Sequence, residues 1–292
     1  LGRVRSRMGL YTMLLEGPVL ALLISMTLRA SSSPEYTFAT ALHIPSYLFL
    51  ATIVAMFFGL TGAASEVLKD RALLKRESNA KVFVTGYVLA KALVLTGLSA
   101  VQSALFLWVG NSILEIHEMF LIYLGTMTLT AFVGVSLSLL VSVFARTERA
   151  ALNMVPLLLI PQILMAGAIV RFDEMNQFIP WSAHRTDEHG RLKPGRVPLV
   201  AEFCPLRYSF ETMVVDQASK NVWERERETI QEKVDDLKER PHLDDREFEE
   251  FKLLKMALLH IAAIGAEGPE QAKAAVRQVR RAALGGSEKS YR

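Results

Sequence analysis

Cysteine, charge and nucleotide-binding motifs are scarce in this sequence of 292 residues. Its one cysteine, Cys204, excludes an internal disulfide framework and a metal site built from several thiolates. The sequence contains no Gly-x-x-x-x-Gly-Lys-Ser/Thr motif, and no lysine follows Gly59 or Gly62, which excludes a phosphate-binding loop of this type. The net charge of +3 is too small and too dispersed to attract a polyanion, so no nucleic-acid partner is expected.

Charged residues are unevenly distributed. Residues 1–170 contain 12 Lys or Arg and 8 Asp or Glu, about 12%, whereas residues 171–292 contain 21 and 22, about 35%. A soluble domain carries about 25% charged residues. The first region therefore excludes a single soluble enzyme domain and a disordered chain, and it predicts a membrane part followed by a polar region.

Five apolar runs in residues 1–170 are long enough to cross a bilayer, which takes about 20 residues as helix. They contain only two charged residues, Glu16 and Lys91. None alternates with a period of two, which favours helices over a lipid-facing barrel. The first run is followed at once by others, so it is a span and not a signal peptide. The sequence predicts an all-α polytopic fold with spans at residues 8–28, 45–64, 84–109, 119–145 and 150–170.

The short loops predict the orientation in a cell membrane. Ten Lys or Arg precede the first span or lie in the loops between spans two and three and spans four and five. The two loops of the opposite side contain only Arg29. Because basic loops stay in the cytoplasm, the amino terminus is predicted to be cytoplasmic and residues 171–292 extracytoplasmic.

The polar region is predicted to be mostly helical. Residues 199–222 are moderately apolar and form a re-entrant or interfacial segment. Charged helices are predicted within residues 223–284, because opposite charges recur there at i,i+4 spacing.

Two stretches are candidates for function. The charged helix Ser65–Ser78 leaves the second span on the cytoplasmic side, and charge alone favours an ordinary positive-inside anchor there. Cys204–Gln217 follows the fifth span, and Pro205 starts a helix that carries aromatic residues back to the membrane surface.

Together, the order of these stretches resembles the ABC-2-type membrane domain of ABC transporters, particularly the G-subfamily-like permeases. In that family the helix after the second span bears an Arg-Glu pair, and the third span opens with a tyrosine, here Tyr87. A Ser-Pro-x-Arg-Tyr-x-Phe-Glu motif follows the fifth span, and Cys204 stands here where the family has serine. The resemblance implies a coupling helix with Glu66, Asp70, Arg71, Arg76 and Glu77, and an outer re-entrant motif with Pro205, Arg207, Tyr208, Phe210 and Glu211.

The resemblance also implies a function. The chain would be the permease part of an ATP-driven exporter that moves a lipid, a glycan or a hydrophobic small molecule. It would carry no catalytic residue, since ATP and Mg²⁺ would bind an associated or fused ATPase domain. A second copy of the permease and membrane lipid are its other expected partners. The family has a sixth span, which we do not find, and the chain starts with Leu1; we therefore expect a longer polypeptide with the ATPase upstream.

Two other functions stay open at this point. A secondary transporter would show inverted repeats and more charge at the membrane midplane. A membrane-anchored binding or scaffold protein would explain the charged outer region, but not five spans and the Arg-Glu helix.

Single polar residues have simpler interpretations. Glu16 costs about 2.5–3.5 kcal/mol at a bilayer centre, so it faces protein or water: it pairs with a basic residue or lies beside the transport path. Lys91, near the inner end of its span, is expected to extend to the membrane surface. The stretch from His184 to His189 contains metal-ligand residue types, but its Pro/Gly-rich loop favours no metal site.

Overall fold

The computed structural model describes residues 7–28, 43–77, 84–114, 116, 118–170, 172, 175, 197–220, 222–240 and 245–264. Its regular elements in these ranges are α-helices, which confirms the all-α prediction. The helices are α1 (Arg7–Leu28), α2 (His43–Ala63), α3 (Glu66–Glu77), α4 (Val84–Leu114), α5 (Phe120–Phe144), α6 (Glu148–Met165), α7 (Leu199–Glu202), α8 (Pro205–Lys220), α9 (Val222–Glu239) and α10 (Asp245–Ile264).

Four segments of the described residues are long and apolar enough to cross a membrane, and they correspond to the first four predicted spans. They are Tyr11–Leu28, His43–Arg71, Thr85–Leu114 and Phe120–Phe144. A multi-pass membrane protein is thus confirmed.

The fifth predicted span forms the helix α6, which is not among these four. It has 18 residues and ends at Met165, five residues before the predicted end. At 1.5 Å per residue it is about 27 Å long, slightly less than a hydrocarbon core of about 30 Å. The predicted count of five spans therefore stays a prediction.

The four long helices alternate in direction. In α2 and α5, Met56 meets Gly134 and Leu60 meets Ser138, so these helices run parallel. Helix α4 runs antiparallel to α2 and α5, because Asn111 near the end of α4 accepts a hydrogen bond from Tyr47 near the start of α2. Helix α1 runs parallel to α4, because Met13 contacts Gln102 and Gly17, one turn later, contacts Phe106. Arg7, α3 and the end of α5 therefore lie at one end of the bundle, here called the basic end.

Glycine makes the closest helix crossing possible. A Cβ on Gly59 of α2 would lie 2.2 Å from the Ala131 carbonyl oxygen of α5, and one on Gly134 would lie 2.7 Å from the Met56 carbonyl oxygen. Small residues at such crossings let two membrane helices pack backbone against backbone. Because α2 also contacts α1, α4 and α6, it is the central helix of this unit.

The chain divides into two compact units between Val215 and Asp216. In the second unit, α9 and α10 pack as a hairpin around Val234, Leu237 and Leu254. Arg240, just after α9, bonds Asp236 at 2.7 Å and Glu247 at 2.9 Å. Apart from Val222, both helices lie within the predicted charged region, whose part after Ile264 is outside the described residues.

Candidate functional site

The charged helix α3 is fixed to the end of α5 through its backbone. The first N–H groups of an α-helix have no partner within the helix. Here the buried Ser142 hydroxyl of α5 accepts the N–H groups of Val67 at 3.1 Å and Leu68 at 3.2 Å. Arg71 donates to the carbonyl of Val143 in the last turn of α5, where the helix dipole favours a cation.

A group of partly buried charges fixes the same helix to α4. The Glu66 carboxylate lies 3.2 Å from the Lys69 ammonium and 3.4 Å from that of Lys91, and its side chain is only 6% exposed. Lys91 also donates to the Asp70 carboxylate and, at 2.8 Å, to the Glu66 carbonyl. Tyr87 donates to Asp70 at 2.7 Å and accepts from Lys91 at 3.2 Å. We call these five side chains the anchor cluster.

The extension of Lys91 to the membrane surface stays a prediction; within the protein, Lys91 contacts α3. Its side chain is 12% exposed, because two carboxylates, a carbonyl and a phenol surround its ammonium group. Sequence reasoning missed its role and that of Ser142. The signal in the sequence was the i,i+4 spacing of Tyr87 and Lys91, which places two polar groups on one face of an apolar helix.

The predicted coupling residues divide between the two ends of α3. Glu66, Asp70 and Arg71 lie in its anchored first half. Arg76 and Glu77 lie in its last turn, and their side chains are outside the described part of the structure.

The predicted outer motif begins α8, and Pro205 is its first residue, as predicted. Ser209 shares a hydrogen bond of 2.7 Å with Thr130 of α5, and Phe210 packs edge-on against Phe49 of α2 at 5.2 Å. Thr130 is the eleventh residue of α5, so Ser209 meets α5 about 15 Å along its axis. Leu206 is fully buried in the core of the unit. The segment thus returns into the helix bundle.

Arg207 contacts Tyr208 and Glu211, two other residues of the motif. Its guanidinium lies 4.8 Å from the ring centroid of Tyr208 and 5.8 Å from that of Phe172, and it bonds Glu211 at 3.5 Å. Tyr208 and Glu211 are exposed.

Burial raises the pKa of the Cys204 thiol against the opposing effect of Arg207, which agrees with a buried thiol rather than a nucleophile.

Glu16 contacts an amide within the bundle. Gln102 of α4 donates to its carboxylate at 3.4 Å and to the Met13 carbonyl at 3.0 Å. Glu16, Gln102 and residues of α2 line a pocket of about 320 Å³. The stretch from His184 to His189 lies outside the described residues.

Comparison with known families supports the same interpretation. The family model described as ABC-2 type transporter matches residues 1–185, which is more than half of the chain. No curated protein and no solved structure matches the chain. The matched residues contain the four long helices, α3 and the anchor cluster. The chain therefore belongs to the ABC-2 type transporter family, as the permease of an ABC transporter.

Proposed function

We propose that the chain is the membrane part of an ATP-driven exporter of the G-subfamily type, in which α3 is the coupling helix. The observation that carries this proposal is the fixation of α3. Ser142 and Arg71 join it to α5, and Lys91 joins it to α4. A helix held in this way moves together with the spans that it contacts, so a force on its last turn reaches α4 and α5.

The remaining parts of the proposal follow from the family and the sequence. ATP and Mg²⁺ bind an ATPase domain, fused upstream or separate, which contacts α3 at the basic end. Two copies of the permease form a path for a lipid, a glycan or a hydrophobic small molecule. The return of α8 into the bundle, through Ser209 and Phe210, supports a role for Pro205–Glu211 in closing the outer side.

We predict that Arg76→Ala and Glu77→Ala separate ATP hydrolysis from transport. Both residues lie in the last turn of α3, at the end opposite to the anchor cluster. Insertion should be normal, because Lys69, Arg71, Lys75 and Lys81 maintain the positive-inside bias. Removing one partner of a buried ion pair at the joint with the ATPase costs about 3–5 kcal/mol, against about 0–1 for a solvated pair.

The measurement is ATPase activity and substrate movement by the full-length protein in reconstituted vesicles. We expect basal hydrolysis to continue while transport falls at least tenfold. Glu249→Ala, an exposed change on α10, is the control and should leave both activities unchanged. Parental transport rates in both α3 variants, together with normal insertion, would show that α3 is only a topology anchor.

We predict that Ser78 and Thr147 face the cytoplasm and that Gly190 and Ser219 face the outside. The basis is the basic end of the bundle, where Arg7, α3, Arg146 and Arg149 lie together. Single cysteines at these four positions, in a Cys204→Ser background, are labelled in intact cells with a membrane-impermeant thiol reagent. Labelling is expected at positions 190 and 219 only. Labelling at 78 but not at 190 would reverse the proposed orientation.

A further inference from the structure

A groove of about 480 Å³ lies between α4 and α5 near the basic end of the bundle. Its described lining comes from these two helices and from α3. Three of the lining side chains are apolar and exposed: Val88 of α4 at 42%, and Leu140 and Val143 of α5 at 57% and 49%. Both α4 and α5 are long and apolar enough to cross a membrane. The groove is therefore placed where lipid tails can enter it.

One charged residue belongs to the described lining of this groove, Arg71 of α3. It is exposed, and its guanidinium donates to the Val143 carbonyl in the last turn of α5. The described carboxylates of the same half of α3, Glu66 and Asp70, pair with Lys91. Because a guanidinium has five N–H donors, Arg71 can donate to a further acceptor while it keeps its contact with α5.

The hydroxyl groups of the described lining already donate within the protein. Ser136 donates to the Phe132 carbonyl at 2.8 Å, and Tyr87 donates to Asp70 at 2.7 Å. Ser136 is seven residues before Val143, so the groove extends about 10 Å along α5 from its last turn toward the middle of the helix. The groove thus has a cation at one end and a mostly apolar length beyond it, which matches an anionic group attached to an alkyl chain.

The position of Arg71 along the bundle indicates which anionic group this is. Helix α5 has 25 residues and is about 37 Å long, which exceeds the hydrocarbon core of about 30 Å. Its last turn, to which Arg71 is bound, therefore reaches the level of the lipid headgroups. Lipid phosphates lie at this level, and the planar guanidinium of arginine can bind two phosphate oxygens at once.

We propose that this groove binds one anionic glycerophospholipid of the membrane leaflet at the basic end. Arg71 donates to its phosphate, and one acyl chain lies along α5 from Val143 to Ser136. An apolar groove alone would not select among lipids, because all their tails are alike in polarity; a basic pocket between membrane helices selects anionic headgroups. The site goes beyond the proposed exporter function, because binding at equilibrium requires neither ATP nor transport.

The test is native mass spectrometry of the full-length protein in a neutral detergent, titrated with dioleoyl phosphatidylglycerol. We expect one tightly bound lipid per chain. Arg71→Gln keeps an amide that can donate to Val143 but should weaken binding at least tenfold, because charge-assisted hydrogen bonds to the phosphate are lost. Arg146→Gln removes another exposed arginine of the basic end, outside the described lining, and should change the dissociation constant less than twofold.

A second pair of variants tests the apolar part of the groove. Ser136 and Ser112 are both exposed, and each hydroxyl donates to the carbonyl four residues earlier, at 2.8 Å and 2.6 Å. Leucine is a better helix former than serine, so both leucine variants should fold. Ser136→Leu fills the inner end of the groove and should weaken phosphatidylglycerol binding at least tenfold. Ser112→Leu, outside the described lining, should leave binding unchanged.

Four results would overturn the proposal. The first is a parental protein that retains no phosphatidylglycerol, and the second is unchanged binding in Arg71→Gln or Ser136→Leu. The third is equally tight binding of dioleoyl phosphatidylcholine, which would remove the preference for an anionic headgroup. The fourth is displacement of the lipid by inorganic phosphate at the same concentration, which would show an anion site that does not use the acyl chain.

Discussion

Replacement of Gly59 by alanine is expected to destabilise the membrane bundle far more than the same replacement of Gly62, the other glycine of α2. The new Cβ would lie 2.2 Å from the Ala131 carbonyl oxygen and 2.9 Å from the Val135 nitrogen, both backbone atoms of α5. Backbone atoms within a helix cannot rotate away, so α2 and α5 must separate along their whole contact. Overpacking costs about 1–3 kcal/mol where side chains yield, and this site should reach or exceed 3 kcal/mol.

Separation of the two helices would also weaken polar contacts nearby. Ser138 donates to the Leu60 carbonyl at 2.6 Å, one residue beyond the crossing, and Ser142 accepts the first N–H groups of α3. The destabilisation should therefore spread from the crossing to the basic end of the bundle.

The matched control is Gly62→Ala, three residues further along the same helix. A Cβ there meets no atom within 4 Å, and alanine favours helix by about 1 kcal/mol over glycine. Thermal unfolding of the detergent-solubilised full-length protein compares the two variants. Gly59→Ala should lower the midpoint markedly, whereas Gly62→Ala should retain or raise it. Equal midpoints would mean that the α2–α5 contact is looser than the structure shows.

The helices could be predicted from the sequence because a bilayer imposes one simple requirement. About 20 apolar residues in a row must form a helix, since lipid offers no partner for backbone polar groups. For this reason the predicted runs 119–145 and 45–64 match α5 and α2 to within two residues. The third run ended too early at residue 109, because α4 continues to Leu114 through Asn111, whose oxygen accepts from Tyr47.

The pairing of the helices could not be predicted in the same way. Gly59 and Gly62 look alike in sequence, yet one lies against the backbone of α5 and the other faces a pocket. The anchor cluster illustrates the same difficulty. Glu66 and Lys91 are 25 residues apart in sequence and belong to helices whose relative position depends on packing. The charge pattern and the family motif pointed to α3, but they indicated which helix matters rather than what holds it in place.

Removal of the Lys91 ammonium is expected to release α3 from α4. In Lys91→Met a side chain of similar length keeps the apolar contacts but loses the charge. Glu66, 6% exposed, then retains Lys69, and Asp70 retains Tyr87, as their described partners in the anchor cluster. The poorly solvated Glu66 carboxylate then loses one of its two described cations, so the cost should exceed that of a solvated pair, about 0–1 kcal/mol, and approach that of a buried pair broken from one side, about 3–5 kcal/mol. We expect the free energy of unfolding to fall by this amount.

Two further variants test whether the lost stability comes from breaking the buried Glu66–Lys91 pair or from removing any lysine. Lys220→Met removes an exposed lysine that pairs with Asp216 at 2.5 Å, and it should cost about 0–1 kcal/mol. Lys91→Met combined with Glu66→Met removes both members of the buried pair and should recover part of the stability, since apolar residues of similar size replace buried ion pairs at little cost. The free energy of unfolding in mixed micelles at increasing denaturant concentration measures all three variants. If Lys91→Met is no worse than Lys220→Met, the anchor cluster is solvated, and α3 is not held firmly enough to transmit force to α4.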